Sequence, residues 1–462
     1  MSLLKFIPRF RHLDSELSGL HARESWSRAR LDVFQLERLN QLWRSAIQHT
    51  AYYRDLTQRL YLPREFVSLA EFSELVPRLT KHHVRSERLR LLSDVRRPGK
   101  WKMTGGSTGD PTRVYWGGES HRESLRGKYR FLQSHGIEPL DPMVFLWGHA
   151  ASFEPGLRGA CDRAKQWLAD RLRKRLRLSA YRTDASELRA YVRRMQRFGA
   201  TSLYGYSSAV HLLAREALAL DADFPGLRAV IMTAEPVLPL HKRQVAAAFH
   251  VPAVEEYGSV ECGFLAGQAP DGTLRVREDQ VLLETEPDGR GGYDILVTTL
   301  GNASFPLIRY AIGDATDAPL IRHKTGFAQL ERVLGRANDF ILTPQGKLLH
   351  PIAFMDCLEI LTPHLGRFHL HQGADFGLTL EVEAAVQVRD PRWKDIVQRR
   401  LTEFTAGLPV RIETVLCVSR TAAGKRRFIT SALAPRDLPR GRDDRFLESL
   451  PPAVTTDNRE LV

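Results

Sequence analysis

The chain has 462 residues, 43% hydrophobic and 26% charged, with 67 Lys and Arg against 54 Asp and Glu for a formal net charge of +13. That length exceeds one ordinary hydrophobic core, so two or three domains are expected, and the basic excess suggests anionic company such as a nucleotide, an acidic lipid surface or nucleic acid. No apolar run reaches the ~18 residues of a bilayer span, and Cys161, Cys262, Cys357 and Cys417 form no Cys-x-x-Cys pair, which argues against a zinc site or a secreted disulfide scaffold and for a reducing cytoplasm.

Met1 to Phe10 is too short and too interrupted for a signal peptide and reads as a helix docking on its own domain. Residues 12–60 read as helical, with Leu36, Leu39, Leu42, Trp43 and Ile47 at helical spacing and Tyr52-Tyr53 after a turn. A shorter helix runs from Phe66 toward Val76-Pro77, with Leu79-Thr80-Lys81 extended beyond it. Trp101-Lys102-Met103 is a strand end that places the following glycine-rich loop at a sheet edge. A helix follows over Glu119 to Ser134, then an apolar run, Met143 to Gly148, of the kind found in buried parallel strands. Helices over 185–198, 207–219 and 240–249 alternate with strands over 202–206 and 228–233. Such alternation predicts a parallel sheet covered on both faces, with ligands at the carboxyl ends of its strands.

After residue 270 short strands (Thr273 to Val276, Gln280 to Glu284, Tyr293 to Leu300) are joined by turns such as Asp288-Gly289-Arg290-Gly291-Gly292. Strands at 367–372, 378–385 and 409–418 then interleave with helices at 351–361 and 391–406. The predicted class is α/β. It comprises a large N-terminal domain (1–335) with mostly parallel sheets and a β-rich subdomain (about 270–335), a small mobile α+β C-terminal domain (336–434), and a partly disordered proline- and charge-rich tail (435–462).

Six stretches carry candidate chemistry. The first is Thr104-Gly105-Gly106-Ser107-Thr108-Gly109-Asp110-Pro111-Thr112, in which glycines let backbone N–H groups curl around an anion and hydroxyls suit phosphate oxygens. No Gly-Lys-Ser/Thr follows, so it is not a Walker A loop, and alone it reads more readily as an ordinary turn. The others are Ala234-Glu235-Pro236; Glu256-Tyr257-Gly258-Ser259-Val260-Glu261-Cys262-Gly263; Pro306 to Asp314; Gly335-Arg336-Ala337-Asn338-Asp339; and Ser419 to Arg427 with Gly424-Lys425. Singly, these are turns, caps and solvated charges.

Together and in this order they resemble the adenylate-forming superfamily, most closely the phenylacetate–CoA ligase branch and its CapK-like relatives, often linked to capsular polysaccharide genes. The resemblance covers most of residues 40 to 433. It implies that Thr104, Gly105, Gly106, Ser107, Thr108, Gly109 and Thr112 hold ATP phosphates, and that Ala234, Glu235 and Pro236 border adenine. It implies that Tyr257, with Gly258 and Ser259, stacks on adenine, and that Glu261, with Thr108, serves Mg²⁺. Asp314 would hold the ribose hydroxyls, Arg336 the ribose region and the hinge, and Lys425 would reach the reacting carboxylate. ATP, Mg²⁺ and CoA are the implied cofactors and co-substrate, and a carboxylic acid the substrate. A carboxylate suits Mg²⁺, a hard cation that prefers oxygen, and a lysine suits a mobile point charge.

The chain departs from the family at Asp110, where a lysine is common, at Ala311-Ile312 inside the ribose motif, and at Asn338 in the hinge. These departures bear on rate and acceptor more than on nucleotide binding and leave room for a binding-only member. Candidate acid-pocket residues near strand ends are Trp147, Gly148, His149, Tyr204, Tyr206 and Met232. Residues 163–177 form a basic amphipathic stretch with Trp167, Leu168, Leu172 and Leu176 on one face. It reads first as a surface helix packed by that stripe, and second as a docking element for an anionic membrane or a CoA-like polyphosphate. Nucleic acid is not expected as a partner, because no recognised module accompanies the charge.

Overall fold

The computed structural model describes residues 13–104, 112–147, 164, 167–180, 185–237, 239–288, 292–336, 341–344, 348–349, 368–383, 393–405, 407–416, 418 and 429–433. Helices Leu13–Arg23 and Arg28–His49 open it, and the second buries Leu39, Leu42 and Trp43 on the face that helical spacing gives them. Thr50 ends that helix in an extended conformation and begins the next, Ala51–Leu60, so Tyr52 and Tyr53 follow the break at Thr50, at the start of that helix. The Tyr53 hydroxyl donates to the Pro306 carbonyl at 3.0 Å.

The expected 66–81 segment divides in two. Leu69–Leu75 is one helix, and Lys81–Ser86 is another. Leu79 pairs with Tyr310, and Thr80 accepts the His83 amide and caps the second helix, so Lys81 is helical rather than extended. Thr80 is a strong N-cap, and this local signal decided the boundary.

β1 (Gly99–Met103) and β2 (Arg113–Gly117) form an antiparallel hairpin, a sheet of its own rather than the edge of a larger one. Helix Gly118–Ser134 follows directly. β3 (Met143–Trp147), β4 (Arg175–Ser179), β5 (Ser202–Tyr206), β6 (Ala229–Thr233) and β7 (Ala253–Ser259) lie parallel in the order β4-β3-β5-β6-β7. β8 (Gly263–Gln268) and β9 (Leu274–Val276) extend this sheet antiparallel. β10 (Val281–Pro287), β11 (Tyr293–Thr299) and β12 (Tyr310–Thr316) begin a second, antiparallel sheet. β13 (Gln329–Leu330) returns to the large sheet beside β9, and β14 (Val333–Arg336) completes the second sheet beside β12. Thus the Thr273 to Val276 strand extends the large sheet instead of the β-rich one.

Beyond the hairpin of β15 (Ile341–Leu342) and β16 (Leu348–Leu349), β17 (Phe368–Gln372), β18 (Leu378–Glu383), β19 (Val410–Val415) and β20 (Ile429–Ser431) form a four-stranded sheet in the order β19-β18-β17-β20. Helix Trp393–Phe404 buries Val397 and Leu401 in the same core as Leu370, Leu380 and Val410 of that sheet.

Side chains alternate across the large sheet with the strand period of two. Val144, Leu146, Leu203, Val230 and Met232 pack under helices Ala185–Phe198, Ser207–Ala219 and Pro239–Phe249. Met143, Tyr204, Ala229, Ile231, Val254 and Phe264 pack under helix Gly118–Ser134 and against Leu17 and Leu20. Both faces are covered, which is why these strands read as continuous apolar runs.

The basic stretch departs most from expectation. Residues 167–172 are helical, but the chain then turns and Arg175–Ser179 becomes β4 on the free edge of β3. Trp167, Leu168 and Leu172 are 64%, 53% and 73% exposed, so among the described residues these three side chains do not pack the helix down. The alternation of Leu176 and Leu178 fits a strand, and the unpaired backbone of β3 supplied its partner.

Candidate functional site

The strongest convergence lies where β7 ends and β12 begins. The Tyr257 hydroxyl donates to Asp314 Oδ2 at 3.0 Å, joining the large sheet to the second sheet. Burial first, and then the facing Asp314 carboxylate, push the Tyr257 phenol well above its ordinary range. The Tyr310 hydroxyl donates to Glu261 Oε1 at 3.4 Å, and burial with the Glu261 charge raises that phenol too. Both tyrosines therefore stay protonated donors. Ser259 Oγ accepts the Cys262 amide at 2.9 Å, and Trp116 Nε1 donates to the Val260 carbonyl at 3.1 Å, so the turn presenting Glu261 is held from both sides. Glu261 itself is buried.

Around this centre the other motifs gather through backbone. Asp314 is the direct antiparallel partner of Arg336, which ties the ribose-type aspartate to the hinge-type arginine. Gly335 has φ +84°, and a Cβ there would sit 3.0 Å from the Pro236 side chain, so only glycine lets β14 pass this close to the Ala-Glu-Pro stretch. Ala234 has φ +67°, an uncommon conformation for a residue with a Cβ, as β6 turns out of the sheet. Glu235 then accepts the Ser208 amide at 2.9 Å, at the positive end of helix Ser207–Ala219. Gly313 has φ +78°, and a Cβ on it would stand 3.2 Å from Lys81 Nζ, which brings the Leu79-Thr80-Lys81 stretch to the same place.

The glycine-rich loop joins β1 to β2. Its base is closed by the Thr104 amide donating to Thr112 O and the Thr112 amide donating to Thr104 Oγ1, each at 2.9 Å. Arg85 Nε donates to Thr112 Oγ1 at 3.1 Å. Gly105, Gly106, Ser107, Thr108, Gly109 and Asp110 lie outside the described residues, as do Gly148, His149, Asn338 and Lys425, and Arg336 is placed by its backbone alone. Of the candidate acid-pocket residues, Trp147, Tyr204 and Tyr206 come together, with ring centroids 5.6 Å apart for Trp147–Tyr204 and 4.4 Å for Trp147–Tyr206. Met232 is instead fully buried in the core under the three helices.

Sequence reasoning missed a buried polar cluster beside the aromatic trio. Tyr204 donates to Glu256 Oε1 at 2.8 Å, Lys128 pairs with Glu256 at 3.2 Å, and Lys128 Nζ sits 3.6 Å from the Tyr204 ring centroid. The only signal was Glu256 itself, an acidic residue on a strand whose two faces are both covered.

Chains of known structure share this arrangement of strands. The 2-hydroxyisobutyryl-CoA ligase, solved in the postadenylation state in complex with 2-HIB-AMP, superimposes with a TM-score of 0.70 at 19% identity, over 88% of this chain and 91% of that one. The same ligase in an open conformation with 2-HIB-AMP and CoA gives 0.58 at 20% identity, over 86% and 91%. In sequence, Protein CapK of Staphylococcus aureus is 22% identical over 319 residues, 67% of this chain and 69% of that protein. The chain is similar to CapK in sequence and has the fold of the 2-hydroxyisobutyryl-CoA ligase. No protein-family model matches it. At these identities the structural likeness establishes the fold, and the chemistry has to be argued from this chain's residues.

Proposed function

We propose that this CapK-like chain is an ATP-dependent ligase that converts a carboxylic acid to an acyl-adenylate and passes the acyl group to a thiol, most simply that of CoA. The observation that carries the reading is the convergence of Tyr257, Asp314, Glu261, Tyr310 and Pro236 with the Arg336 backbone, from separate stretches of sequence and two sheets.

In adenylation a carboxylate oxygen forms a bond to the α-phosphorus while the bond to the bridging oxygen breaks, and that electron pair leaves with pyrophosphate. The second step joins a thiol sulfur to the acyl carbon and releases AMP. Asp314, acceptor-only when ionised, suits the two ribose hydroxyl donors, with the Tyr257 hydroxyl orienting its carboxylate. Glu261, with Tyr310 donating to one oxygen, keeps its other oxygen for a cation. Among the described residues no group of three or more His, Cys, Asp and Glu could hold a metal ion. One buried carboxylate fits Mg²⁺, which takes its remaining ligands from phosphates and water and would neutralise charge developing on the phosphate oxygens. In this reading residues 336–434 form the mobile C-terminal domain, and Lys425 on it reaches the reacting carboxylate and then swings away to admit the second acceptor.

The test is pyrophosphate release by the whole chain with ATP, Mg²⁺ and a panel of carboxylic acids, with and without CoA. Release that proceeds to product only with CoA supports the thiol acceptor. Stalled acyl-adenylate with CoA present points to an amine or hydroxyl acceptor, and no pyrophosphate with any acid sinks the ligase reading in favour of a nucleotide-binding accessory protein. Lys425→Ala should lower adenylation by orders of magnitude while ATP still binds, and unchanged adenylation overturns its role.

A further inference from the structure

We infer that Lys102, beside the base of the glycine-rich loop, is a polyphosphate-binding residue, taking the triphosphate of a nucleoside triphosphate or free pyrophosphate. The inference rests on the ligase reading and adds to it a residue that no motif marks.

The hairpin register sets the geometry. Lys102 lies opposite Val114, and Lys100 opposite Trp116, so Lys102, Val114 and Trp116 share one face of the hairpin. Val114 and Trp116 on that face are buried, and Lys102 beside them is half-buried while its β1 neighbours Trp101 and Met103 are exposed. Continuing the two-residue period places Thr104 and Thr112, the base of the glycine-rich loop, on the same face. Lys102 Nζ stands 3.9 Å from the centroid of the Trp116 ring. That ring is fixed by its Nε1 bond to the Val260 carbonyl, one residue before Glu261. The lysine is thus held between the base of the loop and the turn that carries the acidic residue suited to Mg²⁺.

Its charge balance is unusual for this protein. Lys128 faces Glu256, Arg130 faces Asp279 and Arg309 faces Glu284, each within 3.2 Å. Lys102 has no carboxylate partner among the described residues, only the aromatic face. Burial without a counter-charge lowers its ammonium to about 8. A half-buried ammonium resting on a π face is pre-positioned for an anion, since a phosphate restores the charge stabilisation that partial burial removed. Arg85 at Thr112 adds a second cation at the same end of the hairpin.

The experiment compares ATP and AMP binding by isothermal titration calorimetry for the full-length wild type, Lys102→Met and Lys102→Arg. Lys102→Met should weaken ATP by roughly ten-fold or more, the size of one lost charge-assisted hydrogen bond, and AMP by less than about two-fold. Lys102→Arg should keep most of the ATP affinity. Equal ATP affinity in wild type and Lys102→Met overturns the assignment, as does a parallel loss of ATP and AMP, which would make Lys102 a mere support for Trp116. A wild type that binds neither nucleotide sinks the ligase reading instead. Acetic anhydride labelling of the wild type at pH 8 decides the matter even if Lys102→Met does not fold. Lys102 should be acetylated, and protected by ATP and by inorganic pyrophosphate but not by AMP; absence of protection overturns the proposal.

Discussion

The two faces of the large sheet surround their buried titratable groups with different partners. Under the three helices, such groups are pushed toward neutrality. His211 and His241 stack with ring centroids 3.8 Å apart, and burial lowers His211 to about 4 and His241 well below its ordinary range. Glu255, facing Lys242 on that side, is raised by burial to about 7. Under helix Gly118–Ser134 burial pushes the same way, lowering Lys128 and Arg130 and raising Asp279, but there each charge meets an opposite one within 3.2 Å: Lys128 with Glu256, and Arg130 with Asp279. A face that neutralises its groups is stable near neutral pH and has little charge to offer a ligand. A face that matches each buried charge with an opposite one depends on both partners being present, since removing either leaves the other desolvated.

The largest test of that contrast is Arg130→Met. Arg130 and Asp279 are both essentially inaccessible and 3.2 Å apart, and removing the cation leaves the buried carboxylate with Arg277 at 3.1 Å and Arg23 at 3.8 Å as its remaining counter-charges. About 2–3 kcal/mol of unfolding free energy should be lost in a urea titration, less than for a carboxylate left wholly unpaired. A loss below about 1 kcal/mol would mean that this face does not depend on its ion pairs.

Next comes pH. A histidine whose folded pKa lies below its unfolded value leaves stability intact above about 6.5. As pH falls from there toward about 4, the unfolded chain takes up protons that the folded chain refuses, and stability drops. The expected slope is about 1.4 kcal/mol per pH unit for each histidine. His211→Phe with His241→Phe should flatten urea-unfolding stability over that window, and an unchanged slope would remove the pair from the acid response.

Glu255 has the reverse sign. Its folded pKa is raised, so it costs nothing below about 4.5, and its penalty grows as pH rises to about 7 and stays above it. Glu255→Gln should stabilise the protein at pH 8 by on the order of 1–2 kcal/mol and leave it unchanged at pH 4. A smaller change, about 1 kcal/mol lost, is expected for Glu235→Ala, which removes the acceptor for the Ser208 amide at the start of helix Ser207–Ala219. The smallest belongs to neither face. Leu172→Ser, on the exposed helix before β4, should change stability by less than about 0.5 kcal/mol, and a larger loss would show that Leu172 packs against something in solution.

Much of this was legible from local pattern. The strands over 143–147, 202–206 and 229–233 and the helices between them follow from apolar runs and helical periodicity, because both signals are set within one element. Motif order pointed to the place where Tyr257, Glu261 and Asp314 meet. The 163–177 stretch was misread because its arginines and leucines satisfy two periods at once. The free edge of β3 chose the strand for Arg175–Ser179.

What the sequence determined by itself is the α/β alternation and the chemical types available at the strand ends. Only the tertiary structure decided which groups share a dielectric and a partner. Tyr257 reaches Asp314 across 57 residues and Lys128 reaches Glu256 across 128. Lys102, one of 67 basic residues in the chain, is distinguished only by burial against Trp116 without a carboxylate. Periodicity is written within an element a few residues long. Burial and charge pairing depend on which elements pack together, and the local pattern does not encode that.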